Sequence, residues 1–466
     1  MNGPQSALTM LVTMVKASHR RFMLRGIHLF AVACAAALAA CADSGETIAP
    51  VASGYVVGDE PYAAQAGASV LAEGGNAVDA ATATYFALSV SYPVAAGLGG
   101  GGLCIVHDTG EGAQDEAFVF LPRDAAGKGA FAVPGNVRGF AALQAAHGRL
   151  PWQRDVAAAE QMATTGFPVS TALAARLAAT QDVIRLDANL SAEFLDESGH
   201  AKQAGDRAIN LELGRTIGLV RATGSAGLYR GTIADAIATY TAAQGGAITQ
   251  AELDASVAQR AGPDRVALGD AIALLPPRRV GSGAFAASLI KDVENVSAQP
   301  GEANMARSLA LATARSLDTF GVKTLPTDLG STGFAAVDNS GQAVACAVTM
   351  DGPFGSGHTV DNTGITLARA PSGTAAGLAP AFLTPLIALK GDSLALAGAG
   401  SGGPNGTASI VYSLLNIATT DTVSPDFVRT TGVAPYDTVN AILCQNNTCA
   451  ALADPGAHGL GKAVGQ

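Results

Sequence analysis

Charge is scarce in this chain of 466 residues: 14% of positions carry it, and the formal net charge is −10. No stripe of Lys or Arg gathers the positive charge that exists, so the chain is a poor candidate for holding nucleic acid. Histidine is also sparse. The seven His are scattered, with no pair at the spacing of metal ligands, so neither a metal centre nor any other cofactor is expected. One glycine run, Gly97-Leu98-Gly99-Gly100-Gly101-Gly102, fits G-x-G-x-x-G. Its context is helix, glycines, strand, whereas a dinucleotide fingerprint needs strand, glycines, helix. No Lys-Ser/Thr pair follows it, so a phosphate-cradling loop is excluded as well. Close packing of backbone against backbone is the expectation there. What the chain has in quantity is apolar residues, at 48%, and glycine, with 56. That composition argues against disorder and for a tightly packed mixture of helices and sheet.

No long apolar run is found near the start either. Lys16, His19, Arg20, Arg21 and Arg25 precede an apolar stretch, Gly26 to Ala40, too short to span a bilayer comfortably. It ends in Leu38-Ala39-Ala40-Cys41, which resembles a bacterial lipobox. The expectation is a leader over residues 1–41, lipidation at Cys41, a tether over 42–54 and a periplasmic protein held at the outer membrane by lipid alone. Cysteines agree with export. Cys444 and Cys449 bracket a short loop and are expected to form a disulfide. Cys104 and Cys346 lie in apolar, strand-like runs and are expected as buried thiols, able to pair only if their strands adjoin.

The stretch richest in chemistry is Leu329–Gly357. Phe334 to Asp338 and Gln342 to Met350 read as two strands around an Asn339-Ser340-Gly341 turn, which is a hairpin signal. Gly330-Ser331-Thr332 opens the first strand, and Thr349 and Asp351 close the second. A hydroxyl is a weak nucleophile and needs a base. If the chain is cut before Ser331, the freed α-amino group, with a pKa near 8, can serve as that base. In an antiparallel hairpin the start of one strand faces the end of the other, so Ser331 and Thr349 are expected to meet.

The pattern from Ser331 through Val337-Asp338, Gly341, Thr349, Asp351 and Phe354-Gly355-Ser356-Gly357 resembles the nucleophile region of gamma-glutamyltransferases, which are self-cleaving N-terminal nucleophile hydrolases. The segment GGNAVDAATATYFALSVSYPVAAGLGGGG, residues 74–102, resembles that family's first signature more specifically. Similar stretches follow in the family's order, at Phe131–Gly135, His147–Trp152, Gly166–Ser170, Gly227–Gly231 and Gly245–Thr249. The likeness runs from about residue 55 to 410. It implies an α+β fold, a four-layer αββα sandwich built from residues 55–330 and 331–466 together. It also implies self-cleavage at Gly330–Ser331 and attack by Ser331 on a γ-glutamyl or related amide, with the acyl group passed to water or an amine. Thr349 falls on the family's second active-site Thr. Arg123 falls on an Arg that clamps the substrate's α-carboxylate, a task suited to a planar guanidinium. Asp351 stands where the family has a substrate-binding Asn. Gly402 and Gly403 fall on paired glycines that donate N–H groups to the oxyanion.

Departures cluster on the substrate. After Gly364–Leu367 the family carries an Asn-Asn-x-Met-Asp-Asp run whose last acid holds an α-ammonium. Here Ala368-Arg369-Ala370-Pro371-Ser372-Gly373 has no acid. Ala381-Phe382-Leu383-Thr384-Pro385 replaces two hydroxyl-bearing residues. A site built for an ammonium–carboxylate pair loses affinity without those partners. One alternative reading is a catalytically inactive relative that works as a binding lipoprotein. Another is a serine hydrolase using Ser401, because Ala399-Gly400-Ser401-Gly402-Gly403 is close to a nucleophile elbow, with His458 as its base.

Overall fold

A computed structural model describes residues 52–466, except 111, 128, 247, 297–301, 373–374, 421, 431–434, 446–447 and 466. Residues 1–41, expected to form a leader ending at Cys41, lie outside the described residues. Among the described residues, thirteen strands form the two large antiparallel sheets. We label them β1 (Ala52–Gly58), β2 (Gly101–His107), β3 (Glu116–Phe120), β4 (Gln259–Ala261), β5 (Asp264–Leu268), β6 (Ala271–Leu275), β7 (Ser331–Asp338), β8 (Ala343–Thr349), β9 (Thr384–Lys390), β10 (Ser393–Ser401), β11 (Thr438–Gln445), β12 (Thr448–Ala453) and β13 (Leu460–Gly465). The seven-stranded sheet runs β13-β1-β7-β8-β2-β3-β4 and the six-stranded sheet β12-β11-β10-β9-β6-β5. Both sheets therefore draw strands from either side of residue 331. β1 starts at Ala52, inside the stretch expected to be tether.

Three apolar layers hold the sandwich together. Successive strand residues face opposite ways, so one strand can feed two layers. In β7, Ala335 and Val337 pack with Ile387, Ala397 and Ile442 of the other sheet. Phe334 and, two residues further on, Ala336 pack outward beneath helices. Those helices are α1 (Pro61–Ala72), α2 (Ala77–Ser91), α3 (Asn136–His147), α4 (Trp152–Thr165) and α5 (Thr171–Ala179). Helices α6 (Gly281–Val296), α7 (Glu302–Thr319) and α8 (Pro404–Thr419) cover the other sheet. The order of layers is αββα, as the resemblance implied.

Helix α2 shows how local sequence sets a boundary. Asn76 accepts from Asp79 N–H while Asp79 accepts from Asn76 N–H, which satisfies two orphan donors. Every residue of α2 is buried, which explains why it carries Ala, Val, Thr and aromatics on all faces. The glycine run before β2 packs as expected: a methyl at Gly100 would sit 2.5 Å from the Thr349 carbonyl oxygen, and one at Gly102 2.5 Å from that of Ala347.

Two disulfides are present among the described residues. Cys444–Cys449 forms as expected across β11 and β12. Cys104 and Cys346, expected as thiols, are instead bonded to each other. β2 and β8 are neighbours, and the register sets Cys346 directly opposite Cys104.

Candidate active site

The hairpin β7–β8 places the candidate nucleophile. Its register pairs Ser331 with Thr349, so the two hydroxyl residues meet as expected. Both are buried. Ser331 shares a strand face with Gly333, Ala335 and Val337, and that face looks into the space between the sheets. The loop after β10 arrives from the opposite sheet. There Gly402 N–H donates to Ser331 Oγ at 2.8 Å. Gly402 has φ +90, and a methyl on it would lie 2.0 Å from the Tyr436 carbonyl oxygen, so glycine alone fits this turn. Gly403 is the N-cap of α8, with Pro404 in its first turn. Asp437 Oδ2 accepts from Asn405 N–H at 3.0 Å, closing that helix end behind the glycines. Burial lifts the Asp437 carboxyl to about 6.

The bond before Ser331 is held with equal care. The Gly330 carbonyl accepts from Met350 N–H at 2.8 Å and from the Thr349 hydroxyl at 3.1 Å. The Thr349 oxygen in turn accepts from Asp351 N–H at 2.9 Å, which orients it. Gly330 N–H donates to Asp328 Oδ1 at 2.8 Å. A carbonyl with two donors is polarised toward attack at carbon.

Asp351 is fully buried, with φ +55, and neither carboxylate oxygen has a hydrogen-bond partner among the described residues. Burial pushes it up to about 8; Arg369 draws it down and Asp124 pushes it further up. The Arg369 guanidinium lies against Gly352, where a methyl would come within 3.3 Å of its Cζ. Arg123 is half-buried, and part of its donor capacity is already used: Nη2 donates to the Glu252 carbonyl at 2.6 Å. It contacts Asp124 through that residue's backbone oxygen.

Some of the site was invisible in the sequence. Asp59, fully buried, accepts from Thr332 Oγ1 at 2.7 Å, Thr438 Oγ1 at 3.0 Å and Asn440 Nδ2 at 2.7 Å. It thereby fastens β7 to β11 directly beside Ser331. Desolvation raises its pKa, against the pull of those three hydrogen bonds. Ser401 also belongs to this cluster. Its hydroxyl meets Thr438 Oγ1 at 3.0 Å rather than an imidazole, so the elbow reading has no base beside it.

Against known proteins, residues 63–313 match the family model described as Gamma-glutamyltranspeptidase. The chain belongs to the gamma-glutamyltranspeptidase family. A glutathione hydrolase proenzyme of Pseudomonas sp. (strain A14) is 34% identical over 228 residues, covering 44% of this chain and 40% of the relative. An acylase ACY 1 proenzyme of Pseudomonas sp. (strain V22) is 31% identical over 266 residues, covering 52% and 48%. The chain thus spans less than half the length of these two curated relatives in each match. Among solved structures, cephalosporin acylase from Bacillus halodurans superposes with a TM-score of 0.71 at 18% identity, over 91% of this chain and 98% of that one. Helicobacter pylori gamma-glutamyltranspeptidase gives 0.52 at 23% identity, over 56% and 81%. These two likenesses concern the fold. The fold of this gamma-glutamyltranspeptidase family member is therefore shared with a cephalosporin acylase as well as with a gamma-glutamyltranspeptidase.

Proposed function

We propose that this protein is a self-processing N-terminal nucleophile amidohydrolase or acyltransferase with Ser331 as nucleophile. The observation that carries the reading is the 2.8 Å hydrogen bond from Gly402 N–H to Ser331 Oγ, beside a Gly330 carbonyl held by Met350 and Thr349. In self-cleavage, Ser331 Oγ bonds to the Gly330 carbonyl carbon and the C–N bond breaks. The hydroxyl proton passes to the departing nitrogen. The resulting ester takes up water, leaving a Gly330 carboxylate and a free Ser331 α-amine. That amine then acts as base to its own hydroxyl for each turnover on an amide. Gly402 N–H meets the nucleophile at 2.8 Å, which supports the role the resemblance implies for it and Gly403 as donors to an acyl oxyanion.

The substrate is a γ-glutamyl compound or a related amide. The stretch Ala368–Gly373 supplies no carboxylate for an α-ammonium, and Asp351, held protonated by burial, adds little negative charge at neutral pH. This favours an acyl group without that ammonium. Cys41 lipidation and a periplasmic, outer-membrane location remain part of the proposal, supported by two disulfides in the folded body.

Intact mass of the protein beginning after Cys41, read after reduction and denaturation, tests the reading. Two fragments with a new N-terminus at Ser331, and one uncut chain for Ser331→Ala, are the expected results. A wild-type chain that stays whole over days removes the amine base, and with it the enzyme reading.

A further inference from the structure

Asp328 serves two partners with one carboxylate. Its Oδ1 accepts from Gly330 N–H, two residues further on, at 2.8 Å. That is an Asx turn, in which a short acidic side chain shapes the backbone just after it. Arg176 Nη2, from α5, donates to the same Oδ1 at 2.8 Å and to Oδ2 at 2.7 Å. Arg176 is itself confined. Its side chain is 6% exposed, the Tyr436 ring lies 4.7 Å from its guanidinium carbon, and the Tyr92 ring lies 5.6 Å from it. A planar cation packed on rings keeps one orientation, and so does the carboxylate it grips.

A buried ion pair is a poor device for stability, because apolar groups of similar volume often do as well. The residue that this pair touches gives it another use. Gly330 carries the bond that the Ser331 reading breaks. Planar peptides leave Gly330 two soft dihedrals, φ and ψ. Its carbonyl, held by Met350 N–H at 2.8 Å and the Thr349 hydroxyl at 3.1 Å, restrains ψ. Its N–H, held by Asp328, restrains φ at +59. Glycine populates both signs of φ about equally, so an acceptor at this N–H selects the left-handed form. Ser331 Oγ is fixed independently, by Gly402 N–H at 2.8 Å. Nucleophile and carbonyl carbon therefore keep their relation while both sides of Gly330 are held. A displacement of about 1 Å between reacting atoms costs on the order of a hundredfold in rate.

We propose that Asp328, its carboxylate gripped by Arg176, is a positioning residue for self-cleavage, holding Gly330 in the conformation that presents its carbonyl carbon to Ser331 Oγ. This deepens the Ser331 reading and rests on it. Asp328 takes no proton and forms no bond in the step. What counts is the acceptor atom in its place, and substitution separates that atom from the charge. Asp328→Asn keeps an oxygen for Gly330 N–H and gives up the charge. Asp328→Glu keeps a charge for Arg176 and displaces the oxygen by one methylene.

The full chain is labelled in a pulse of synthesis, and its cleavage is followed during a chase on reducing, denaturing gels. Melting temperatures are read in the same variants carrying Ser331→Ala, which stay uncut. Asp328→Asn is expected to cut within about threefold of the wild-type rate although it melts lower, and Asp328→Glu at least about tenfold more slowly. Should Asp328→Asn fail to fold with Arg176 left unpaired, Arg176→Gln/Asp328→Asn removes both charges and keeps the acceptor, and the same threefold limit applies. Rates that follow the melting temperatures across the variants show a merely structural role and overturn the proposal. So does Asp328→Glu cutting as fast as Asp328→Asn. Both outcomes leave the Ser331 reading standing, because wild type still cuts. A wild-type chain that stays whole overturns that reading, and the proposal with it.

Discussion

Gly330 has φ +59, and a methyl on it would lie 2.0 Å from the Gly352 carbonyl oxygen. An L-residue in that region costs roughly 1–2 kcal/mol before any clash. Gly330→Ala therefore moves the carbonyl away from Met350 N–H and the Thr349 hydroxyl. Self-cleavage, followed as the fraction of two-chain product over time, should slow by at least about tenfold, equivalent to 1.4 kcal/mol in the barrier. Asp351 is a second test at this scale. Its carboxyl titrates near 3.8 in the unfolded chain and at about 8 in the fold. The sign follows from that order: stability from this group is fully present below pH 3.8, falls as pH rises through the interval, and is lost above about 8. Asp351→Asn has no such charge to bury, and Asn tolerates the left-handed backbone. Its melting temperature should exceed wild type's at pH 8, with the gap shrinking by pH 5. A gap that does not change with pH would remove the titration from the explanation.

At the scale of elements, the hairpin β7–β8 was legible because its signals are local: two apolar runs, an Asn-Ser-Gly turn and a strand period of two. From them the meeting of Ser331 and Thr349 follows. The glycine run was legible as backbone packing for the same reason. Asp59 was not, because its partners Thr332, Thr438 and Asn440 lie 273 to 381 residues away, and before folding it reads as a polar residue preceding a helix. β11 was missed as a bearer of site residues because nothing local distinguishes Thr438 and Asn440 from ordinary strand polars. The Cys104–Cys346 bond was missed because it needs the neighbourhood of β2 and β8, which only the sheet order gives. Asp59→Ala tests the fastening of strands. It takes an acceptor from buried donors on Thr332, Thr438 and Asn440; Asn440 keeps the Gly333 carbonyl and Thr438 the Ser401 hydroxyl, while an orphaned donor costs about 1–3 kcal/mol. Urea unfolding of Ser331→Ala with and without Asp59→Ala should show a lower midpoint, corresponding to a loss of unfolding free energy of that order, and cut protein should form more slowly when Asp59 is replaced in the Ser331 chain. An unchanged midpoint would mean that water takes over the carboxylate's role.

At the scale of the whole molecule, the disulfides divide along the proposed cut. Cys444 and Cys449 both follow Ser331, so their bond stays within one fragment. Cys104 precedes the cut and Cys346 follows it, 242 residues apart. The bond sits in a buried row of the seven-stranded sheet, where Cys346 faces Cys104 on β2 and Phe334 on β7. Cleavage at Gly330–Ser331 would then yield two chains that remain one covalent molecule. On a denaturing gel, cut protein should run as one species without reductant and as two with it. Cys346→Ser should run as two in both lanes. Two bands from wild type without reductant would mean the bond does not form. The tether also changes the thermodynamics of the cut form. Two fragments held only by their shared core unfold by dissociating, so their melting temperature rises with protein concentration. Joined fragments meet at an effective concentration set by the link rather than by dilution. The melting temperature of cut wild type should therefore stay constant across a hundredfold dilution, while that of cut Cys346→Ser falls. The bond would make self-cleavage compatible with a dilute environment, because a chain cut after residue 330 would keep its continuity through the sheet that carries Ser331.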